Sequence, residues 1–341
     1  MFVLQVAVVR GKGGIATAVA HYARMFRDLG VRSAALFRGP SAEALRSEDF
    51  DVIDAPPLLT SPLGALPGAL SGLRRAIDLR ARDRRMIAIV HSDLALGPLK
   101  RLFPNADFVI PCHSDKFKRK HAADLVVTLN AAQHEAARAE LGPGARIAQL
   151  GNPYISAGDA RTQGEGPPRL NFIARFIDTK DPLTLLRAAA AIPQAERPHL
   201  RFIGAGPLEQ ELRDEAARLG VIAELPGWST APFADFHRGD VLVLPSSWEG
   251  LPYLLQEALD HGAPIIASDI AGNRAALADG AYGALFPFGD APALSRAISS
   301  TVADLDAARA KAEKGRAALY ARYGGEHFWR ALTQALEKAD A

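Results

Sequence analysis

Cysteine is nearly absent. Cys112 is the only one in 341 residues, so no intrachain disulfide can form and no cysteine-built zinc site is available, as expected in a reducing compartment. No stretch approaches the roughly 20 consecutive apolar residues that a membrane-crossing helix needs. The apolar opening Met1–Val9 is short and runs into Arg10 and a glycine loop without a cleavage-type segment. It therefore reads as a buried first strand, not a targeting signal. No repeat period suggests a solenoid. Neither charge sign dominates: the net charge is +2, with 23% charged and 48% hydrophobic residues, which argues against a disordered chain and a membrane bundle. What remains is a globular chain long enough for two domains.

The small net charge conceals an asymmetry. Residues 1–150 carry 21 Lys and Arg against 14 Asp and Glu, net +7, whereas the remainder carries 19 against 24, net −5. The two halves are expected to meet different partners.

Short apolar runs suited to buried parallel strands recur between amphipathic stretches: Val3–Val9, Ser33–Phe37, Met86–Val90, Phe108–Pro111 and Leu125–Leu129. A second series follows a polar, glycine-rich stretch at Gly158–Pro168: Leu170–Ala174, Leu200–Gly204, Val241–Pro245 and Pro264–Ser268. Helices are predicted at Pro182–Ala191, Leu208–Leu219 and Tyr253–His261, with Pro at the front or Gly at the back as punctuation. The Ala-, Arg-, Glu- and Lys-rich tail from Asp304 to Lys338 reads as helices interrupted at Gly324-Gly325. The alternation predicts two doubly wound, Rossmann-like α/β domains. The expected boundaries are 1–152, 153–315 and a helical segment 316–341 that crosses back to the first domain.

The most informative segment runs from Asp240 to Asn273. A strand ends at Pro245, a loop carries Glu249 and Gly250, and a helix starts near Pro252 with Glu257 in its early turns. Backbone N–H groups from about Gly250 to Tyr253 then point past the carboxyl edge of a parallel sheet, where the helix dipole favours an anion such as a diphosphate. Carboxylates at Glu249 and Glu257 can accept from the paired hydroxyls of a sugar and a ribose. Upstream, Arg175 and Lys180 follow a strand, and an Arg fork with a Lys point charge can stabilise a departing diphosphate.

With its Glu-x7-Glu spacing, Pro245-Ser246 and Glu249-Gly250-Leu251-Pro252, this segment resembles the retaining glycosyltransferases of the GT-B fold, family 4, also called glycosyl transferases group 1. The resemblance implies two Rossmann-like domains facing across a cleft, with a C-terminal helix returning to the first. It implies Glu249 at the donor sugar, Glu257 on the ribose, Arg175 and Lys180 on the diphosphate, and Gly250, Leu251 and Pro252 at the donor-binding helix start. Gly204 and Gly206 close a strand where glycine lets the backbone approach a ligand; an ordinary turn is the other reading. Gly227 and Trp228 fall where the family receives the nucleobase, although Trp228 suits a core position equally.

The first half matches more loosely. Gly13 and Gly14, with Lys12 beside them, follow the first strand, where the family keeps a glycine pair for donor or acceptor. His113 resembles the position from which a histidine reaches the donor sugar. His91 also ends a strand and competes with the favoured His113 for that role, and both stand in a His-Ser-Asp sequence.

These matches imply transfer of a sugar, with retention, from a nucleoside diphosphate sugar of UDP or GDP type to a glycan, lipid-linked or other hydroxyl acceptor. No metal and no further cofactor are expected, because the basic pair takes the diphosphate charge. No nucleic acid partner is expected. Between Pro67 and Met86, Leu70, Leu73 and Ile77 form a stripe among six arginines, so contact with an anionic membrane at the inner face of the plasma membrane is an expectation alongside a plainly cytoplasmic location.

Rival readings are an epimerase or phosphorylase on the same fold, and a non-catalytic scaffold. The departures Ala174 and Ala271-Gly272-Asn273-Arg274-Ala275 from the family pattern bear on donor sugar identity. The Gly11-Lys12-Gly13-Gly14-Ile15-Ala16 fingerprint also fits an NADP-dependent oxidoreductase.

Overall fold

The computed structural model describes residues 1–8, 14–38, 40–156, 158, 162 and 164–337. The chain divides into two compact units, Met1–Ile155 together with the segment from Arg322, and Ser156–Ala321.

In the first unit the order is β1 (Phe2–Ala7), α1 (Gly14–Asp28), β2 (Ser33–Phe37), α2 (Pro40–Ser47), β3 (Val52–Asp54), α3 (Ser71–Ala81), β4 (Met86–Val90), α4 (Leu96–Leu102), β5 (Asp107–Pro111), β6 (Leu125–Thr128), α5 (Ala131–Leu141) and β7 (Ile147–Gln149). All strand pairs are parallel, in the order β3-β2-β1-β4-β5-β6-β7. Every residue of β1 and β4 is buried, because helices cover both faces of the sheet. This is why these strands read as unbroken apolar runs and not as alternation.

The second unit contains β8 (Arg169–Ile173), α6 (Pro182–Ala190), β9 (His199–Ile203), α7 (Glu209–Leu219), β10 (Ala223–Gly227), β11 (Asp240–Leu244), α8 (Tyr253–Asp260), β12 (Ile265–Ser268), α9 (Ala271–Leu277), β13 (Ala284–Phe286), α10 (Ala291–Ala303) and most of α11 (Leu305–Tyr323). Its sheet is again parallel, in the order β10-β9-β8-β11-β12-β13. The order reverses between β8 and β11, and at such a switch point the loops after the two strands diverge and leave a crevice at their carboxyl ends.

The final helix, α12 (Gly325–Glu337), belongs to the first unit. Phe328, Leu332 and Leu336 lie buried with Tyr22 and Phe26 of α1 and with Val3, Ile87 and Val127 of the sheet. A parallel bridge between Tyr154 and Gly324 ties the returning chain to the departing one. Among the described residues no helix is long and apolar enough to cross a membrane.

Candidate active site

The switch point of the second unit gathers the charged residues singled out in the sequence. After β8, Ala174 and Arg175 lead to a short 3-10 turn, Asp178–Lys180, and Asp181 caps α6 by accepting from the Thr184 N–H at 3.2 Å. After β11, the loop from Pro245 to Pro252 runs into α8. The two loops are tied together where the Ser247 N–H donates to the Thr179 carbonyl at 3.0 Å. Lys180 Nζ donates to Glu249 Oε1 at 2.5 Å, and the Glu249 side chain is only 10% exposed. This single bond uses one of three ammonium donors and one of about four carboxylate lone-pair sites, so both groups keep capacity for a ligand. Arg175 is exposed, and its guanidinium has no partner among the described residues.

Gly250, Leu251 and Pro252 are buried in the approach to α8, whose first-turn N–H groups lack intrahelical acceptors. Glu257 lies in the second turn and is partly buried. Helix-start donors, the basic residues Arg175 and Lys180 and the carboxylates Glu249 and Glu257 are therefore carried by the two loops and the start of α8 at this carboxyl edge.

Gly204 and Gly206 lie against neighbouring backbone. A Cβ on Gly204 would stand 1.9 Å from the Ala174 carbonyl oxygen, and one on Gly206 would stand 2.4 Å from that of Phe176. The Phe176 N–H donates to the Ala205 carbonyl at 3.0 Å, and the Leu208 N–H donates to that of Phe176 at 3.1 Å. The Gly-Ala-Gly loop thus seats the segment carrying Arg175. Gly227 ends β10 with φ of 87°, a conformation that favours glycine, and Trp228 beside it is 50% exposed. This removes the core-filling reading of Trp228.

A residue that the sequence offered only as part of the segment Ala271–Ala275 supports the loop. Gly272, in the first turn of α9, presses on the Glu249 loop: a Cβ there would meet the Glu249 carbonyl oxygen at 2.2 Å and that of Gly250 at 2.8 Å. The helix start is pinned from below, because Asn273 Nδ2 donates to the Ser268 carbonyl at 2.9 Å and Ser268 Oγ donates to the Ser246 carbonyl at 2.5 Å.

In the first unit, Lys12 and Gly13 lie outside the described residues, and Gly14 is the exposed first residue of α1. The Val8 N–H donates to Ser92 Oγ at 3.0 Å, and the His91 N–H donates to the Val6 carbonyl at 2.8 Å. These bonds join β1 and β4 at the switch point of that sheet. His91 and His113 are not alternatives in space: His91 Nδ1 and His113 Nε2 are 2.9 Å apart, and the two ring planes are inclined by only 25°. Burial holds the His91 imidazole well below its ordinary pKa, with a further contribution from His113. Burial, then the Lys120 ammonium, pushes His113 down to about 4, against a smaller upward pull from Asp93. Both rings are neutral near pH 7.

One further expectation changes. The stripe of Leu70, Leu73 and Ile77 is buried in the core of the first unit, so it offers no apolar face to a bilayer. The side of α3 that faces solvent carries Arg74 and Arg75 with the single exposed leucine Leu79, and the exposed segment 82–85 follows it. The chain also contains two Asp-x-Asp triplets, a spacing that can chelate a divalent ion. Asp49-Phe50-Asp51 lies before β3, with Asp51 paired to Arg80 at 2.8 Å, and in Asp304-Leu305-Asp306 the first aspartate caps α11. Neither follows the carboxyl end of a strand.

Two parallel α/β units with these strand orders define the GT-B class. Anabaena HepE in complex with UDP-glucose superposes with a TM-score of 0.80 at 16% identity, covering 99% of this chain and 100% of that one. Residues 159–318, nearly the whole second unit, match the family model described as "Glycosyl transferases group 1". Glycogen synthase of Mycobacterium tuberculosis is 29% identical over 206 residues, 57% of this chain and 49% of that protein. The Escherichia coli UDP-Gal:alpha-D-GlcNAc-diphosphoundecaprenol alpha-1,3-galactosyltransferase is 24% identical over 246 residues, 67% and 60% of the two chains. The chain thus spans about half the length of the first of these relatives.

Proposed function

We propose that the protein is a retaining glycosyltransferase that moves a sugar from a nucleoside diphosphate sugar to a hydroxyl acceptor without a metal ion. The observation that carries this reading is the meeting of Arg175, Lys180, Glu249 and the start of α8 at one switch point. As the bond between the anomeric carbon and the diphosphate oxygen breaks, negative charge builds on the diphosphate. Arg175, Lys180 and the α8 N–H groups stabilise that charge in the transition state, when it is largest. Glu249 orients the donor sugar, Glu257 accepts from the ribose hydroxyls, and Trp228 packs on the base, while the departing phosphate takes the proton of the acceptor hydroxyl as its oxygen bonds to the anomeric carbon on the same face.

HepE holds UDP-glucose and the E. coli relative is named for a UDP-galactose donor, which supports a uridine diphosphate sugar as the first donor to test. The latter's diphosphoundecaprenol acceptor supports a lipid-linked glycan among the acceptor classes. Contact with an anionic bilayer from the cytoplasmic side then rests on charge at Arg74, Arg75, Arg82 and Arg84, so flotation with anionic vesicles should vanish as salt is raised.

The test of the donor site is calorimetric titration with UDP, GDP and ADP, with and without a chelator, in the parent and in Arg175→Ala and Glu257→Ala. Binding of one diphosphate that ignores the chelator and weakens in both variants supports the reading. Binding of NADP but of no nucleoside diphosphate overturns it.

A further inference from the structure

The two His-Ser-Asp sequences end adjacent strands, β4 and β5, and their imidazoles meet. His91 is 3% exposed, and its second ring nitrogen, Nε2, is buried without a hydrogen-bond partner. His113 is partly exposed, and its Nδ1 makes no hydrogen bond among the described residues. Tyr22 of α1 stands edge-on to His91 at 5.2 Å. Of the charged groups around the pair, Asp93 is committed to Lys120 Nζ at 3.0 Å, and Asp115 accepts from Gln133 Nε2 at 2.8 Å.

A neutral imidazole carries one N–H, and the two rings share one hydrogen bond, so two proton arrangements exist. If His113 donated from Nε2, the His91 proton would sit on the buried, partnerless Nε2. An orphaned buried N–H is the rarer and costlier defect compared with an unused lone pair. In the other arrangement His91 donates from Nδ1 and its Nε2 keeps only a lone pair. We infer that His91 is a positioning residue that donates from Nδ1 to Nε2 of His113 and so fixes His113 as the Nδ1–H tautomer, with that N–H left for a ligand oxygen. In this tautomer His113 donates a hydrogen bond and cannot take the proton of an acceptor hydroxyl. The inference rests on the transferase reading for the identity of the ligand, but not for the tautomer itself.

The experiment is nitrogen–proton correlation NMR on the full chain labelled with 15N-histidine at pH 7.5. In the parent protein, His113 is expected to show a protonated Nδ1 and a bare Nε2, and His91 likewise a protonated Nδ1. A protonated Nε2 on His113 overturns the inference before any variant is made. In His91→Phe the His113 signals should move to an averaged tautomer mixture, with kcat falling about tenfold, the order expected for one lost orienting hydrogen bond. The donor KM should change less than kcat. His91→Asn, whose amide nitrogen can replace Nδ1, should restore both the Nδ1–H signature and most of the kcat. An unchanged His113 tautomer in a folded His91→Phe protein also overturns the inference. The spectra need no substrate, so failure to bind any nucleoside diphosphate would remove the transferase reading while the tautomer result stays readable.

Discussion

Replacing Gly272 by alanine tests whether the Glu249 loop is held by shape alone, since the change removes no functional group. The added Cβ would lie 2.2 Å from the Glu249 carbonyl oxygen and 2.7 Å from its carbonyl carbon. Ordinary contact demands that one side retreat by roughly 1 Å. The start of α9 is anchored through Asn273, Ser268 and Ser246, so the loop is the side that yields. Glu249 then shifts against Lys180 and the start of α8. A displacement of about 1 Å at reacting groups costs on the order of a hundredfold in rate, and overpacking costs roughly 1–3 kcal/mol of stability. The assay pairs the kcat for donor turnover with urea unfolding, and uses Gly72→Ala as control, because a Cβ on Gly72 meets nothing within 4 Å. A folded Gly272→Ala protein with kcat within threefold of the parent would refute the argument that Gly272 sets the loop.

Arg175→Ala should weaken nucleoside diphosphate binding and lower kcat by about a hundredfold or more, as for loss of one transition-state donor; weaker binding with kcat unchanged would instead mark ground-state binding only. Trp228→Ala should weaken uridine diphosphate binding by about 1 kcal/mol if the exposed indole packs on the base, read by calorimetry. Asp260 is 2% exposed and accepts from Ser156 Oγ at 2.7 Å, from Arg316 Nε at 3.3 Å and from the Tyr320 hydroxyl. Asp260→Asn should therefore lower the urea midpoint by an amount equivalent to about 1–3 kcal/mol. For pH, the folded values of His91 and His113 lie below the ordinary 6.5, so the unfolded chain binds the extra protons. Their stabilising contribution is full above pH 6.5 and lost as pH falls toward 4, by about 1.4 kcal/mol per pH unit for each imidazole. The unfolding midpoint of a folded His113→Gln protein should fall less steeply over that window.

Most strands could be read from sequence because a sheet covered on both faces demands unbroken apolar runs. The expected Val241–Pro245 and Leu200–Gly204 correspond to β11 and β9 within a residue or so at each end. The short edge strands β3, β7 and β13, three residues each, carry too little pattern to stand out. Glu249 and Lys180 were visible as residue types at suggestive positions, but their contact depends on β8 lying beside β11, which only the strand order provides. The histidines appeared to compete because one dimension cannot show that β4 and β5 are neighbours. Gly272 stood in a segment noted only for its departure from the family pattern, because its role is the absence of an atom where the start of α9 presses on the Glu249 loop. The α3 stripe misled in the opposite sense, since an amphipathic helix looks alike whether its apolar side meets a lipid or its own core.

The return of α12 to the first unit bears on how the chain acquires its structure during synthesis. The second unit is a continuous segment, so its core is complete once residues up to about Ala321 have emerged. The first unit, although made earlier, lacks Phe328, Leu332 and Leu336 until the last stretch appears, and until then the apolar side of Tyr22, Phe26 and Val3 is uncovered. The half that is translated first is thus the half that finishes folding last, and a chain truncated just before residue 325 and released would carry a sticky amino-terminal unit and a finished carboxyl-terminal one.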